Sequence, residues 1–178
     1  MQLTITSDNS GKKLKELLSR YKDSYVVEAG YPAKVASTLH TNVREEFYRD
    51  ENFSSEAKPV GQIAYKLNYG GDAYQKQANG KWKLISIPAR PFMEMSAQDK
   101  SSFTKFFKLA VMSMNSGSSI DQALGILGEL YVSKIKKAIT EVDTPSNSFR
   151  TADIKQSSNP LIDTGQMRNI VTYEIKKE

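Results

Sequence analysis

The chain has 178 residues, 39% of them hydrophobic and 25% charged, the proportions of one soluble globular domain rather than a disordered polymer. It contains no cysteine and a single histidine, His40, which excludes disulfides, thiolate metal sites and the usual zinc sets, and leaves no Ser-His-Asp system. A formal charge of +5 permits contact with nucleic acid or another anionic surface, but the basic residues are spread along the chain.

The start, MQLTITSDNSGKK, lacks the basic-apolar-small order of a secretory signal, and no apolar run approaches the roughly 20 residues that span a bilayer. From Gly11 to about Tyr21, Leu14, Leu17, Leu18 and Tyr21 fall at helical spacing on a short basic helix. Ser24 to Ala29, SYVVEA, is rich in strand formers and stops at Gly30-Tyr31-Pro32. Residues 33–58 are polar and carry no sustained period, so they are expected to form a long loop or arm, with one helical turn around Val43 to Tyr48.

Pro59 to about Asn68 reads as a helix with Ile63, Ala64 and Leu67 on one face, stopped by Gly70-Gly71. Asn79-Gly80 then marks a hairpin over 72–86 whose arms carry Tyr74, Trp82 and Leu84. It is polar enough to project from the body rather than enter the core. Pro88 and Pro91 keep the residues before them extended.

Two helices dominate the second half. Phe103, Phe106, Phe107, Ala110 and Met114 make a stripe on the first, from about Ser96 to Asn115. Ser119 and Gln122 form a capping box opening the second, where Ile120, Leu124, Leu127, Tyr131, Ile135, Ala138 and Ile139 share one face as far as Thr140. The short connection makes them an antiparallel pair. Gly125 and Gly128 inside the second helix point to close approach by another backbone, since each costs about 1 kcal/mol against alanine. Leu109, Met112 and Ile126 lie off the core stripes and suggest a second packed surface, hence an oligomer. Asp143 to Ser158 reads as loop, and Ile170 to Lys176, IVTYEIK, alternates as a strand expected to pair with SYVVEA. These elements make one α+β domain over 1–178: a small antiparallel sheet packed against two long antiparallel helices.

Between them stands Pro160-Leu161-Ile162-Asp163-Thr164-Gly165. Hydrophobic-Asp-Thr-Gly is the tripeptide of aspartic proteases, but there is no second copy, and Gln166 to Glu178 are too few to build the flap and wall over a dyad. A turn is the expected role: Asp163 opens it, Thr164 bonds locally, and Gly165 takes a backbone conformation that other residues resist. No catalytic residue, metal ligand or cofactor motif is expected.

The order of Gln62-Ile63-Ala64-Tyr65-Lys66-Leu67-Asn68-Tyr69-Gly70, then Ile87-Pro88-Ala89-Arg90-Pro91-Phe92-Met93, two helices, and Asn159-Pro160-Leu161-Ile162-Asp163-Thr164-Gly165-Gln166-Met167-Arg168-Asn169 before a last strand resembles the virion-morphogenesis and tail-component proteins of long-tailed bacteriophages. The likeness runs from Tyr25 to Ile175. It departs at Asn68-Tyr69-Gly70, where that family often has Glu-Phe-Gly, and in the enlarged stretches at 34–58 and around Asn79-Gly80.

The resemblance implies a non-enzymatic subunit at the head-tail junction, in the neck or at the tail end, in a virion assembled from protein made in the bacterial host cytoplasm. It implies a closed homo-oligomeric ring, taken as a hexamer, that contacts connector and tail proteins and passes DNA without sequence specificity. Pro88, Arg90, Pro91, Phe92, Pro160, Asp163, Thr164 and Gly165 become structural motif residues. Arg90 either clamps Asp163 with its planar fork or stands exposed. Tyr74, Asn79, Gly80, Trp82, Leu109, Met112 and Ile126 become candidate subunit or partner contacts. The alternative is a basic nucleic-acid-binding protein using Lys134, Lys136, Lys137 and Trp82.

Overall fold

The structure, a computed structural model, describes residues 2–4, 24–41, 46–50, 52–54, 56–98 and 100–177. The basic helix expected at 11–21 lies outside them, as do residues 43–45 of the helical turn expected around Val43 to Tyr48; of the rest, Glu46 and Phe47 form a turn and Tyr48 is in a strand instead. The fold is α+β. Its first sheet sets β2 (Tyr25–Gly30) between β1 (Gln2–Thr4) and β6 (Thr172–Lys177), both antiparallel to it. The expected pairing of the SYVVEA and IVTYEIK segments is realised, with Val27 opposite Ile175 and Gly30 opposite Thr172. Strand β1 was not anticipated, because three residues are too few to show an alternating pattern.

This sheet packs on α5 (Ile120–Glu141), whose 22 residues carry the longest buried stripe in the molecule. The capping box at its start is present: Gln122 N–H donates to Ser119 Oγ at 3.3 Å, and Ser119 N–H to Gln122 Oε1 at 3.0 Å. Helix α4 (Lys100–Asn115) folds back on α5 after residues 116–119, and Phe103, Phe106, Phe107 and Met114 pack around buried Ala110. Helix formation starts earlier than at Ser96. A separate turn-and-a-half, α3 (Phe92–Ala97), begins directly after Pro91, because the proline ring restrains its own φ and the residue before it but not the residues that follow.

Gly125 and Gly128 do admit a close neighbour, but it is a side chain rather than a backbone. A methyl built on Gly128 would lie 2.3 Å from Cδ2 of Tyr173, and one on Gly125 would lie 3.2 Å from its hydroxyl. Tyr173 of β6 is seated across that glycine shelf. The glycines therefore let the terminal strand lie close against the central helix.

The long arm is more ordered than its polarity promised. Residues Ala33–Ala36 form a one-turn helix, α1; Leu39 bridges to Pro59; and Tyr48–Arg49 form a short strand, β3. After α2 (Val60–Tyr69), β4 (Gly71–Lys76) and β5 (Trp82–Ile87) make the expected hairpin. Its turn encloses three residues, 78–80, between the Gln77 and Lys81 pair, with Gly80 at φ 78° in the left-handed region. This hairpin is not a lone projection: β3 pairs with β4, giving a second sheet of order β3-β4-β5 that buries Ala73 and Gln75. The expected loop at 143–158 likewise contains a helix, α6 (Phe149–Lys155), started by Ser148 Oγ accepting from Thr151 N–H at 3.2 Å. With only Ile154 buried, it left no periodic trace in the sequence. Helix α7 (Gln166–Asn169) then leads into β6. No helix among the described residues is long and apolar enough to cross a membrane.

Candidate binding cleft

An open cleft of about 1770 Å³ separates the β3-β4-β5 sheet from the helical body. Strand β5 and, from the arm, Tyr48, Arg49, Asp50, Asn52, Ser54, Glu56 and Lys58 form one side. The other is built from α1 and α2, residues 146–151 at the start of α6, Lys155, and the segment 160–167. Two of the expected motifs meet here, although they lie some seventy positions apart in the sequence: Pro88 and Arg90 come from one, Pro160, Asp163, Thr164 and Gly165 from the other. Pro91 and Phe92 turn away, Pro91 preceding α3 and Phe92 being 0% exposed in the main core.

Arg90 does not hold Asp163, and it is not exposed. Its side chain is 3% accessible; Nε donates to the carbonyl of Pro145 at 2.8 Å and Nη2 to that of Ser146 at 3.4 Å. The fork thus fastens the residues between β5 and α3 to the loop after α5. Burial depresses its pKa. The sequence offered Asp163 as partner because carboxylates are visible in a sequence, while backbone carbonyls belong to every residue.

Lys155 holds the second motif. Its ammonium donates to the carbonyls of Asn159 at 3.1 Å and Pro160 at 3.2 Å. Burial pushes its pKa down to about 8; the Asp163 charge opposes that shift and the Arg90 charge adds to it. Asn159 shapes the same turn, its Oδ1 accepting from the N–H groups of Leu161 and Ile162 at 2.8 and 2.9 Å. The Asp-Thr-Gly string is a turn here: Gly165, at φ 77°, leads into α7, and Gln166 N–H donates to Thr164 Oγ1 at 3.3 Å. His40 Nε2 lies 3.5 Å from that hydroxyl, and burial lowers the pKa of its imidazole against the pull of Asp163.

Gln166 binds the first part of the arm through its main chain. Its Oε1 accepts from Thr41 N–H at 2.7 Å, and its Nε2 donates to the Leu39 carbonyl at 3.0 Å. On α2, Asn68 ties two helices together. It is buried, accepts from Met93 N–H at 3.1 Å and donates to both carboxylate oxygens of Glu94, joining α2 to α3.

The expected contact residues divide. Tyr74 and Trp82 are half-buried against Phe53 of the arm, with ring centroids 5.3 and 5.2 Å apart. The Arg49 guanidinium lies over Trp82 at 5.2 Å, and its buried Nε has no hydrogen-bond partner, as a stacked guanidinium allows. Phe53 reaches this cluster from a tight turn at φ 60°, held by Asp50 Oδ1, which accepts from Asn52 and Ser54 N–H groups. Lys58, 2.8 Å from Asp50, is the first cause of that carboxyl's lowered pKa. Asn79 and Gly80 form the exposed tip, Leu109 and Met112 are exposed on α4, and Ile126 is half-buried on α5. Phe149, at 90% exposure, was missed because the helix it starts was missed. Lys155, Asn159, Arg49 and Gln166 were also overlooked. Asn159 alone had a local signal, a turn-forming residue directly before proline.

Comparison of the chain with protein-family models, with curated proteins and with solved structures finds no match.

Proposed function

We propose that the protein is a non-enzymatic structural subunit of the neck or tail end of a long-tailed phage particle, assembling into a ring at the head-tail junction. The observation that carries this reading is the outer face of α4. Leu109 and Met112, the latter 61% exposed, point away from the stripe that packs on α5. Large apolar side chains there suit a surface that a neighbouring subunit covers, and a ring needs a heterologous interface that closes on itself. The motif residues support it as well, because they serve as fixtures: Phe92 anchors the core, Arg90 locks main-chain carbonyls, and Gly165 sets a bend.

The test is native mass spectrometry and electron microscopy of the purified chain, alone and added to tail tubes. Closed rings, or rings at one end of a tube, are expected, and Met112→Asp should abolish them without unfolding the subunit. A chain that stays monomeric in both settings, yet binds DNA with an affinity that falls steeply with salt, would replace this reading by the nucleic-acid one.

A further inference from the structure

We propose that the cleft receives an extended acidic peptide segment of another protein, which adds as a fourth strand along β5. This goes beyond the ring reading and stands without it. Among the described residues, strand β5 is an edge of its sheet. The Gln77–Lys81 bond fixes the alternation of the hairpin ladder, so Trp82, Leu84 and Ser86 turn their N–H and C=O groups away from β4. Among the described residues no backbone group meets those of Leu84 and Ser86. Residues 83–88 line the cleft consecutively. A strand showing its face would contribute every second residue; an unbroken run means that the edge itself faces the cleft.

Charge and size select the occupant. The lining holds six basic side chains, Arg49, Lys58, Lys66, Lys83, Arg90 and Lys155, against three acidic ones, Asp50, Glu56 and Asp163. Lys83 is exposed on β5 itself, on the side of the sheet shared by Gln75, which bonds Thr151 of α6. Acidic residues on one face of an added strand would meet Lys83 directly and the net positive field of the lining, while apolar ones on the other would pack on Trp82 and Leu84. At about 1770 Å³ the cleft exceeds the roughly 300–1,000 Å³ of small-molecule sites. Alternating donors and acceptors along β5 match a polypeptide backbone; a phosphate chain would offer acceptors alone.

The experiment titrates the full chain with a fluorescent heptapeptide of alternating glutamate and valine, and follows amide exchange at Leu84 and Ser86. Saturable binding that weakens with salt is expected, with exchange at both amides slowed by about tenfold or more and no binding of the matching lysine-valine peptide. Ser86→Pro removes only an outward N–H and should weaken binding about tenfold; Lys83→Glu should weaken it several-fold and leave the thermal melt unchanged. The proposal is overturned if the peptide fails to bind at millimolar concentration, binds without protecting the two amides, or ignores both substitutions. Protection that rises with protein concentration alone would show a second copy on this edge, and protection by a single-stranded oligodeoxynucleotide would show nucleic acid. Either result overturns it too.

Discussion

The two sheets of this molecule are held by different forces. Sheet β1-β2-β6 lies on α5 through side chains such as Leu127, Ile135 and Ile139 that water barely reaches, and through Tyr173 seated on Gly128. Sheet β3-β4-β5 contributes nothing to either apolar cluster. It is held by a guanidinium over aromatic rings, a glutamine bonded to Tyr48 and Thr151, and Arg150 reaching the Lys76 carbonyl. Burial of hydrocarbon is cumulative and undirected, whereas each polar tie is modest and geometrically exact in its demands. The first sheet should therefore behave as the stable body and the second as a more easily opened wall of the cleft.

Truncation at the centre of the body breaks the comparison most strongly. Leu127→Ala should cost about 3 kcal/mol or more, read from the shift of the denaturant midpoint; a loss under about 1 kcal/mol would mean that the clusters are not the stable unit. At the seam between the regions, Arg90→Lys leaves at least one buried carbonyl without its donor and should cost about 2 kcal/mol. Unchanged stability would show that the fork is dispensable.

The cleft also gives the molecule a pH signature. Lys155 titrates near pH 8 when folded, against an ordinary value of 10.5, so between these the unfolded chain binds the extra proton and stability rises with pH. About 2 kcal/mol is expected, less than the full shift implies because the amine is partly wet. Burial of Tyr31 raises its pKa above the ordinary 10.0, so above that pH the unfolded chain ionises first and stability falls again. Denaturant melts of Lys155→Met across this range should lose the rise and keep the fall.

Smaller effects sharpen the contrast. Gly128→Ala sets a methyl against the Tyr173 ring, and the better helix propensity of alanine offsets only part of the strain, leaving a loss of about 1 kcal/mol. Gly125→Ala, whose methyl would meet only the hydroxyl end of that ring, should be close to neutral in the same melts.

The body was largely legible in the sequence because its signals are periodic: the α5 stripe, the capping box and the alternation of β6 each repeat one physical rule. The cleft was not, since its walls come from segments far apart in the chain and its key acceptors are carbonyls. Arg90 stood out as a residue, but its partners could not. Gly125 and Gly128 announced a close approach without saying that a tyrosine made it. The arm looked featureless because Arg49, Asp50 and Phe53 act through one another and through the hairpin, not through any local pattern.

Among the described residues, the hydrogen bonds of the Gln166 side chain to the arm go to peptide groups, the carbonyl of Leu39 and the N–H of Thr41. Any residue at position 39 supplies that carbonyl, and any residue except proline at position 41 supplies that N–H. The stretch on either side of His40 is thus free to change its side chains across generations while keeping its place, which lets a varied outer surface be worn on an unvarying attachment.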